Sequence, residues 1–439
     1  MYITKVMLQI ENNLAFSKKK ISLKGSNEDK IRALFELEGI RINCSNSWDV
    51  KVYNQGFYDR FWHNHLLGLC ESVVDEWIGV DDFAELIFRL FRNRVVWEFP
   101  IPLRLMAKVF MAQKFNLQFM RPNRIAKVQY DLPPILFESF LTYKSLGDKG
   151  YGYSPYTCGY WKGLDINDPY NLDQAQIQKL ELICKKLRLE DLPLGSEVLD
   201  FGCGWGSLAR YIADHYPHLK VVCVNISTQQ IQYTRKLCAG LPVKVYDHNI
   251  LTTGNPIPNF EGDGPGKFAC IIALGSFEHM GQKNHRRFFQ IMKNQIKTDG
   301  LILIQTISLS HNSPIPEEFI WDYIFPEMEC STPGQVLTAS QGNHWNPLWK
   351  ILDLHSFQGD GNHYDPTLKA WNYFFRKNWD SIKNEFGKQC PEIKDLDRFY
   401  RIWTTYLSLC EGGYRAKSYP QLIQYVFGPE ENMHYDIVR

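Results

Sequence analysis

The sequence predicts an α/β protein: a doubly wound, mostly parallel sheet preceded by a smaller, mainly helical N-terminal domain. Three observations carry that prediction. From about residue 197 onward, strand-like and helix-like runs alternate strictly, which implies parallel strands joined by crossover helices. A glycine-rich turn, FGCGWG at 201–206, connects the first strand of that series to its first helix. Ahead of it, residues from about 26 to 120 read as mostly helical and are rich in Phe, Trp and Arg, with a possible strand at 50–53. The expected division is therefore 1–120, a smaller mainly helical domain, and 121–439, the α/β domain.

Composition narrows the classes of function. A chain of 439 residues that is 44% hydrophobic and 22% charged has enough apolar material for two or three globular domains. Lys and Arg together number 49 against 48 for Asp and Glu, so no global field draws the chain to nucleic acid or to an acidic membrane, and any such partner needs a local patch. No nucleic-acid partner is expected. The eleven cysteines stand singly, without a CxxC pair, as in a reduced cytoplasmic protein. Polar residues fill the N-terminal MYITKVMLQIENN where a signal peptide needs its apolar run, and no stretch approaches the roughly 18 apolar residues of a spanning helix. His63-Asn64-His65 lacks a third ligand and reads as surface or packing, so no metal is expected.

Taken in order, the segment 83–127 carries Arg89, Arg92, Arg94, Arg104, Lys108, Lys114, Arg121, Arg124 and Lys127 against only Glu85 and Glu98, interleaved with apolar residues. That is the composition of a lipid-facing surface, and equally that of packed helices with a charged outer face. Asn171, with Gln174 three residues on, predicts a helix start ahead of Ala175, Ile177, Leu180, Ile183, Cys184 and Leu187 at helical spacing. Strands then read at 197–200, 220–226, 242–247, 268–274 and 300–307, with helices at 207–216, 228–238 and 285–296. In such a sheet the ligand sits at the carboxyl ends of the strands.

Asp200 closes the first strand, and Gly202, Gly204 and Gly206 follow. A glycine loop alone is weak, because dinucleotide enzymes place GxGxxG at the same point. Here the spacing is GxGxG, and Asn225 stands where a ribose-binding acid would end the second strand. An adenosine ligand without a pyrophosphate fits better, and S-adenosylmethionine is the expected cofactor.

YTCGYW at 156–161, AQIQKLELICKKL at 175–187, VLDFGCGWGSLA at 198–209, FEHMG at 277–281, YIFPEM at 323–328 and HYDPTLKAW at 363–371 together resemble the cyclopropane fatty acid synthase family. Residues 70–92 are similar to that family's small N-terminal domain and 403–427 to its C-terminal helices, so the resemblance spans essentially the whole chain. It implies a class I, Rossmann-like S-adenosylmethionine methyltransferase. Such an enzyme adds a methylene across the cis double bond of an unsaturated phospholipid acyl chain by methyl transfer, a carbocation and bicarbonate-assisted deprotonation. Relatives with a similar catalytic domain methylate mycolic acid precursors or alkaloid amines, and the two-domain length points to the phospholipid branch. A cytoplasmic protein on the inner face of the membrane, with a possible homodimer, follows from the same resemblance.

By position, the resemblance gives the Cys158 backbone amide, the Tyr364 hydroxyl and the Ile307 N–H as contacts to the bicarbonate, and Glu278 as the acceptor that orients it. Gly202 and Gly204 pass the methionine part of the cofactor and Asp200 its amine. Asn225 and Gln230 reach ribose or methionine groups, Tyr156 and Thr157 lie over the cofactor, and His248 lies beside adenine. Three departures stand out: Gln305 replaces the histidine of an HTI motif, QYDLP at 129–133 replaces HYDLG, and GDKGYGYSPY at 147–156 is extra. Glutamine donates a hydrogen bond but cannot titrate. A related enzyme leaving a methyl rather than a ring is the alternative, and a lipid-binding protein without turnover is a second.

Overall fold

A computed structural model describes residues 25–92, 103–121, 124, 126–142, 153–249, 251, 267–309, 317–342, 349–417, 420–428 and 435–439. Arg94 and most of the extra segment at 147–156 lie outside them.

The chain opens with α1 (Asn27–Leu37), started by a capping box in which the Ser26 hydroxyl accepts from the Asp29 N–H and the Asp29 carboxylate accepts from the Ser26 N–H. A short strand β1 (Lys51–Val52), helix α2 (Gly56–Val74) and strand β2 (Ile78–Gly79) follow, the two strands pairing antiparallel. Helix α3 (Phe83–Arg92) buries Phe83, Leu86, Ile87, Leu90 and Phe91 along one side. Then come α4 (Leu103–Phe115), the short α5 (Leu117–Met120), α6 (Pro134–Leu141) and α7 (Leu172–Lys186). The alternating part runs β3 (Glu197–Phe201), α8 (Ser207–His215), β4 (Lys220–Asn225), α9 (Thr228–Leu237), β5 (Val243–Asp247), β6 (Phe268–Leu274), α10 (Gln282–Lys293) and β7 (Ile296–Leu309). It is completed by α11 (Glu318–Tyr323), α12 (Pro333–Ser340), β8 (Lys350–Ser356), α13 (Tyr364–Gln389), α14 (Leu396–Arg415) and β9 (Pro420–Gly428).

The sheet has the order β5-β4-β3-β6-β7-β9-β8, parallel from β5 to β7. Strand β9 inserts antiparallel between β7 and β8. The sequence reading placed helices over 403–427, and this is corrected: α14 ends at Arg415 and the remainder is a strand. Residues 422–428 are buried throughout, and a run apolar on both faces carries no period that separates strand from helix. Asn171 is a second correction. It sits in helical conformation with no capping bond of its own, because Asp168 caps the preceding turn by accepting from the Tyr170 N–H.

Helices α1 to α3 share one apolar core with α13 and α14, built around Phe35, Phe57, Phe61, Trp371, Phe375, Trp379 and Trp403. Gly412 lets α14 approach α3 closely, since a Cβ there would stand 2.3 Å from the Ala84 carbonyl oxygen. The cations of α3 pair within the protein, Arg89 partly buried and Arg92 exposed. Arg89 pairs with Glu85 at 2.8 Å and lies over the Trp48 ring, and Arg92 pairs with Glu38. For this helix the packing reading of the basic segment holds. Among the described residues no helix is long and apolar enough to cross a membrane.

Candidate active site

Two cavities, each with about 180 Å³ open to the centres of water molecules, meet at the carboxyl ends of the parallel strands. The first is lined by Asp200, Gly202, Gly204, Asn225, Gln230 and His248, with Gln118 and Phe119 of α5 opposite. Gly202 adopts φ 73° and Gly204 φ 54°. At Gly202 a Cβ would collide with Ser276 at 2.8 Å, whereas at Gly204 it would meet nothing within 4 Å. The main chain at Gly204 therefore borders open space, as a ligand passing close to it requires. Asp200 is buried, its Oδ2 has no partner among the described residues, and burial raises its carboxyl to about 7, tempered by the Lys179 ammonium. A lone buried carboxylate oxygen of this kind suits the amine of an amino acid.

Asn225 and Gln230 brace the same rim. The Asn225 Oδ1 accepts from the Ile226 and Ser227 N–H groups at 2.7 and 3.2 Å, and its Nδ2 donates to Gln230 Oε1 at 2.9 Å. His248 is buried, with its N–H on the Asn225 carbonyl at 3.1 Å.

The second cavity is nearly all apolar and aromatic, with Phe325, Tyr364, Trp371, Tyr406 and Tyr414 among its walls. Glu278 stands there, on a turn that follows β6. Its Oε1 accepts from the Ile307 N–H at 2.6 Å, its Oε2 has no partner among the described residues, and burial lifts the carboxyl to about 7. The Ile307 N–H thus serves Glu278 in this structure. Gln305 is fully buried; its Oε1 accepts from Gln424 Nε2 at 2.9 Å and its Nε2 has no partner among the described residues. Tyr364 opens α13 and packs tilted against Tyr414, ring centroids 4.3 Å apart and planes 46° from parallel.

Cys158 lies just behind this wall, packed against Ile307 and Tyr364. Burial pushes its thiol far above the ordinary range despite the nearby Lys179, so no thiolate nucleophile forms.

Tyr130, Tyr156, Thr157, Gly275 and His279 line both cavities and form the partition between them. Tyr130 and His279 Nε2 share a hydrogen bond of 2.8 Å, and Tyr156 meets the Tyr406 hydroxyl at 3.0 Å. Gln129 Nε2 donates to the Tyr156 hydroxyl at 3.3 Å, which places the altered segment 129–133 at this wall. Thr157 is clamped from α7: Gln176 Nε2 donates to its carbonyl at 2.8 Å and Lys179 Nζ to its hydroxyl at 3.0 Å. Lys179 is fully buried, makes no ion pair among the described residues, and is depressed to about 7 by desolvation.

The sequence reading missed Lys179, Tyr130, His279 and Gln424. A signal existed for one of them. Lys179 stands at helical spacing among the apolar positions of α7, next to Leu180 and four residues before Ile183, where a lysine has no reason to be unless buried.

A parallel sheet with a glycine turn, an orphaned carboxylate at its first strand end and an adjoining apolar cavity defines an S-adenosylmethionine-dependent methyltransferase. Residues 120–425 match the family described as mycolic acid cyclopropane synthetase, and the chain belongs to that family. It is 32% identical over 395 residues to the cyclopropane-fatty-acyl-phospholipid synthase of Escherichia coli K12, spanning 90% of this chain and 91% of that protein. Two solved structures share the fold. The cyclopropane synthase MmaA2 from Mycobacterium tuberculosis superposes with a TM-score of 0.53 at 23% identity, covering 69% of this chain and 96% of that one. Coclaurine N-methyltransferase, bound to N-methylheliamine and SAH, gives 0.62 at 19% identity, covering 83% and 99%.

Proposed function

We propose that this enzyme transfers a methylene from S-adenosylmethionine to the cis double bond of an unsaturated phospholipid acyl chain, assisted by bicarbonate. The observation that carries the reading is the pair of orphaned atoms in the aromatic cavity: an acceptor, Glu278 Oε2, and a donor, Gln305 Nε2. Together they suit a small protonated anion, and Asp200 Oδ2 with the open backbone at Gly204 suits the cofactor. When bound, S-adenosylmethionine supplies an electrophilic methyl and bicarbonate a base.

The chain's own residues do the rest. Thr157 and Tyr156, fixed from α7 and α14, border both cavities and so align a double bond with the methyl, a gain from proximity. The aromatic rings exclude water and stabilise positive charge left on the acyl chain, at roughly 0.5–2 kcal/mol for each well-placed face. Glu278, held by Ile307, and Gln305, held by Gln424, orient the group that removes the proton.

Residues 1–120 are proposed as the lipid-associating part of a peripheral membrane enzyme. The surface that supports this is α4 and α5, where Phe110, Met111, Phe115 and Met120 are exposed beside Lys114 and Arg121. The test is lipid analysis by NMR after incubation with unsaturated phospholipid vesicles and labelled cofactor, with and without bicarbonate. Cyclopropane formation that depends on bicarbonate is expected. A methylated, still unsaturated lipid would favour the alternative motivated by Gln305, and no label in lipid would overturn the proposal.

A further inference from the structure

Helix α4 buries Leu105 and Val109 against Trp321 and leaves large apolar side chains exposed on its far side. Its cations Arg104 and Lys108 turn toward the protein, pairing with Glu318 at 3.2 and 3.1 Å, and Lys108 also with Asp322 at 2.8 Å. Its outer face, at the spacing 107, 110, 111, 114, presents Ala107, Phe110, Met111 and Lys114, with Phe110 45% and Met111 48% exposed. Exposed apolar rings interleaved with lysine are the pattern of a helix lying in a lipid surface. Arg121, and Lys283 and Arg286 on the adjoining α10, are also exposed, so the patch complements anionic headgroups.

The turn that continues this face is also a wall of the cofactor cavity. Within the four residues of α5, Gln118 and Phe119 line that cavity while Met120 is 64% exposed. No side chain of α5 is buried. What positions it is mostly polar: the reciprocal bonds between Asn116 and Asn284 at 2.9 and 2.8 Å, and Gln118 Nε2 on the Glu327 carbonyl at 2.7 Å. Lys283 adds a bond to the Lys114 carbonyl at 3.3 Å. Its apolar anchoring is one partly buried residue, Leu117, against the Leu105, Val109 and Trp321 cluster, and an element held by so few contacts is easily biased.

We propose that docking of α4 and α5 on an anionic phospholipid surface and binding of the cofactor are thermodynamically linked through α5, so that the enzyme holds its cofactor most tightly at the membrane. This rests on the lipid-docking reading above. Linkage is reciprocal: the factor by which lipid tightens the cofactor is the factor by which cofactor tightens lipid.

The experiment measures the affinity of the full chain for S-adenosylhomocysteine, which cannot react, with and without vesicles of saturated phosphatidylglycerol, which offer no double bond. Vesicles should tighten binding about fivefold or more, and saturating S-adenosylhomocysteine should tighten vesicle co-sedimentation by the same factor. The variant Phe110→Ser/Met111→Ser, which changes only exposed side chains, should keep the affinity measured in buffer and lose the increment. If the wild type sediments with vesicles but its cofactor affinity does not change, the linkage is overturned and lipid docking stands. If it does not sediment, both fall. If the variant keeps the increment, the effect comes from lipid in the aromatic cavity and the linkage through α5 is overturned.

Discussion

Replacing Glu278 with Gln should destroy ring formation and, at alkaline pH, stabilise the protein. The carboxyl is held protonated up to about pH 7 in the fold, from an ordinary value of 4.5, because burial penalises its charge. A carboxyl raised on folding favours the fold below pH 4.5, and this advantage is lost as pH rises through 7. Above that the buried charge costs about 3 kcal/mol. Gln keeps the shape and can still accept from the Ile307 N–H, now at 2.6 Å, but carries no charge to desolvate. Thermal unfolding of both proteins between pH 5 and 8.5 therefore gives curves that lie close together at pH 5 and separate by about 1.4 kcal/mol per pH unit until near neutrality. The variant should be higher at pH 8 by a few degrees, on the order expected for about 3 kcal/mol in a large chain. Asp200, Glu317 and Glu411 are also held near 7 by burial, and taking the difference between two proteins that share them removes their contribution. A variant less stable than wild type at pH 8, or a gap that does not change between pH 5 and 8, would refute the assignment of Glu278 as a buried, partly orphaned carboxyl.

Two further outcomes bear on the cofactor cavity. Lys179→Met removes the one charge that holds the Asp200 carboxyl down, so the pH below which S-adenosylhomocysteine affinity falls should move upward from near 7, as read by titration calorimetry from pH 6 to 9; an unmoved acid limb would show that Lys179 only positions Thr157. Gly204→Ala and Gly206→Ala should separate binding from folding: both place Ala at positive φ, costing about 1–2 kcal/mol, but only at Gly206 would the methyl also strike Thr234, at 2.6 Å. Gly206→Ala should thus lose more in melting temperature, and Gly204→Ala more in cofactor affinity than its stability explains.

The parallel half of the fold was legible because each of its strands and helices announces itself locally: an apolar run, a glycine turn, a Ser or Asp before a helix. Ser227 capping α9 through the Gln230 N–H and the strand β3 that carries Asp200 near its end are of this kind. Strand β9 was not legible, because its buried faces have no alternation and its partners, β7 and β8, lie far away in sequence. The cofactor residues on the glycine turn were readable from spacing alone, whereas Glu278, Gln305 and Tyr364 were found only through resemblance. Their meaning depends on long-range bonds such as Gln305 to Gln424, 119 positions apart. The basic segment 83–127 shows the limit of composition: α3 pairs its arginines with Glu85 and Glu38, while α4 leaves Phe110, Met111 and Phe115 exposed, and no count of charges distinguishes the two.

The glutamine at 305 is less of a departure than its loss of a titrating ring suggests. His279, on the wall of the same cavity, is pushed down to about 4 by burial, and the buried His285 to about 3. A histidine at position 305, where the present side chain is fully buried, would face the same desolvation and stand neutral at physiological pH. A neutral imidazole offers one N–H donor; Gln305, with its oxygen occupied by Gln424, offers its Nε2 toward the same purpose. The resemblance implies the same exchange at 129, where Gln129 is buried and donates to Tyr156. Both replacements keep a hydrogen-bond donor and give up only a protonation that burial had already suppressed. The proton removed from the substrate therefore does not need a base at 305, and Gln305→His should leave both the product and its pH dependence between 6 and 8 essentially as they are. A switch from methylated to cyclopropane product in that variant would show instead that the histidine does chemistry that glutamine cannot replace.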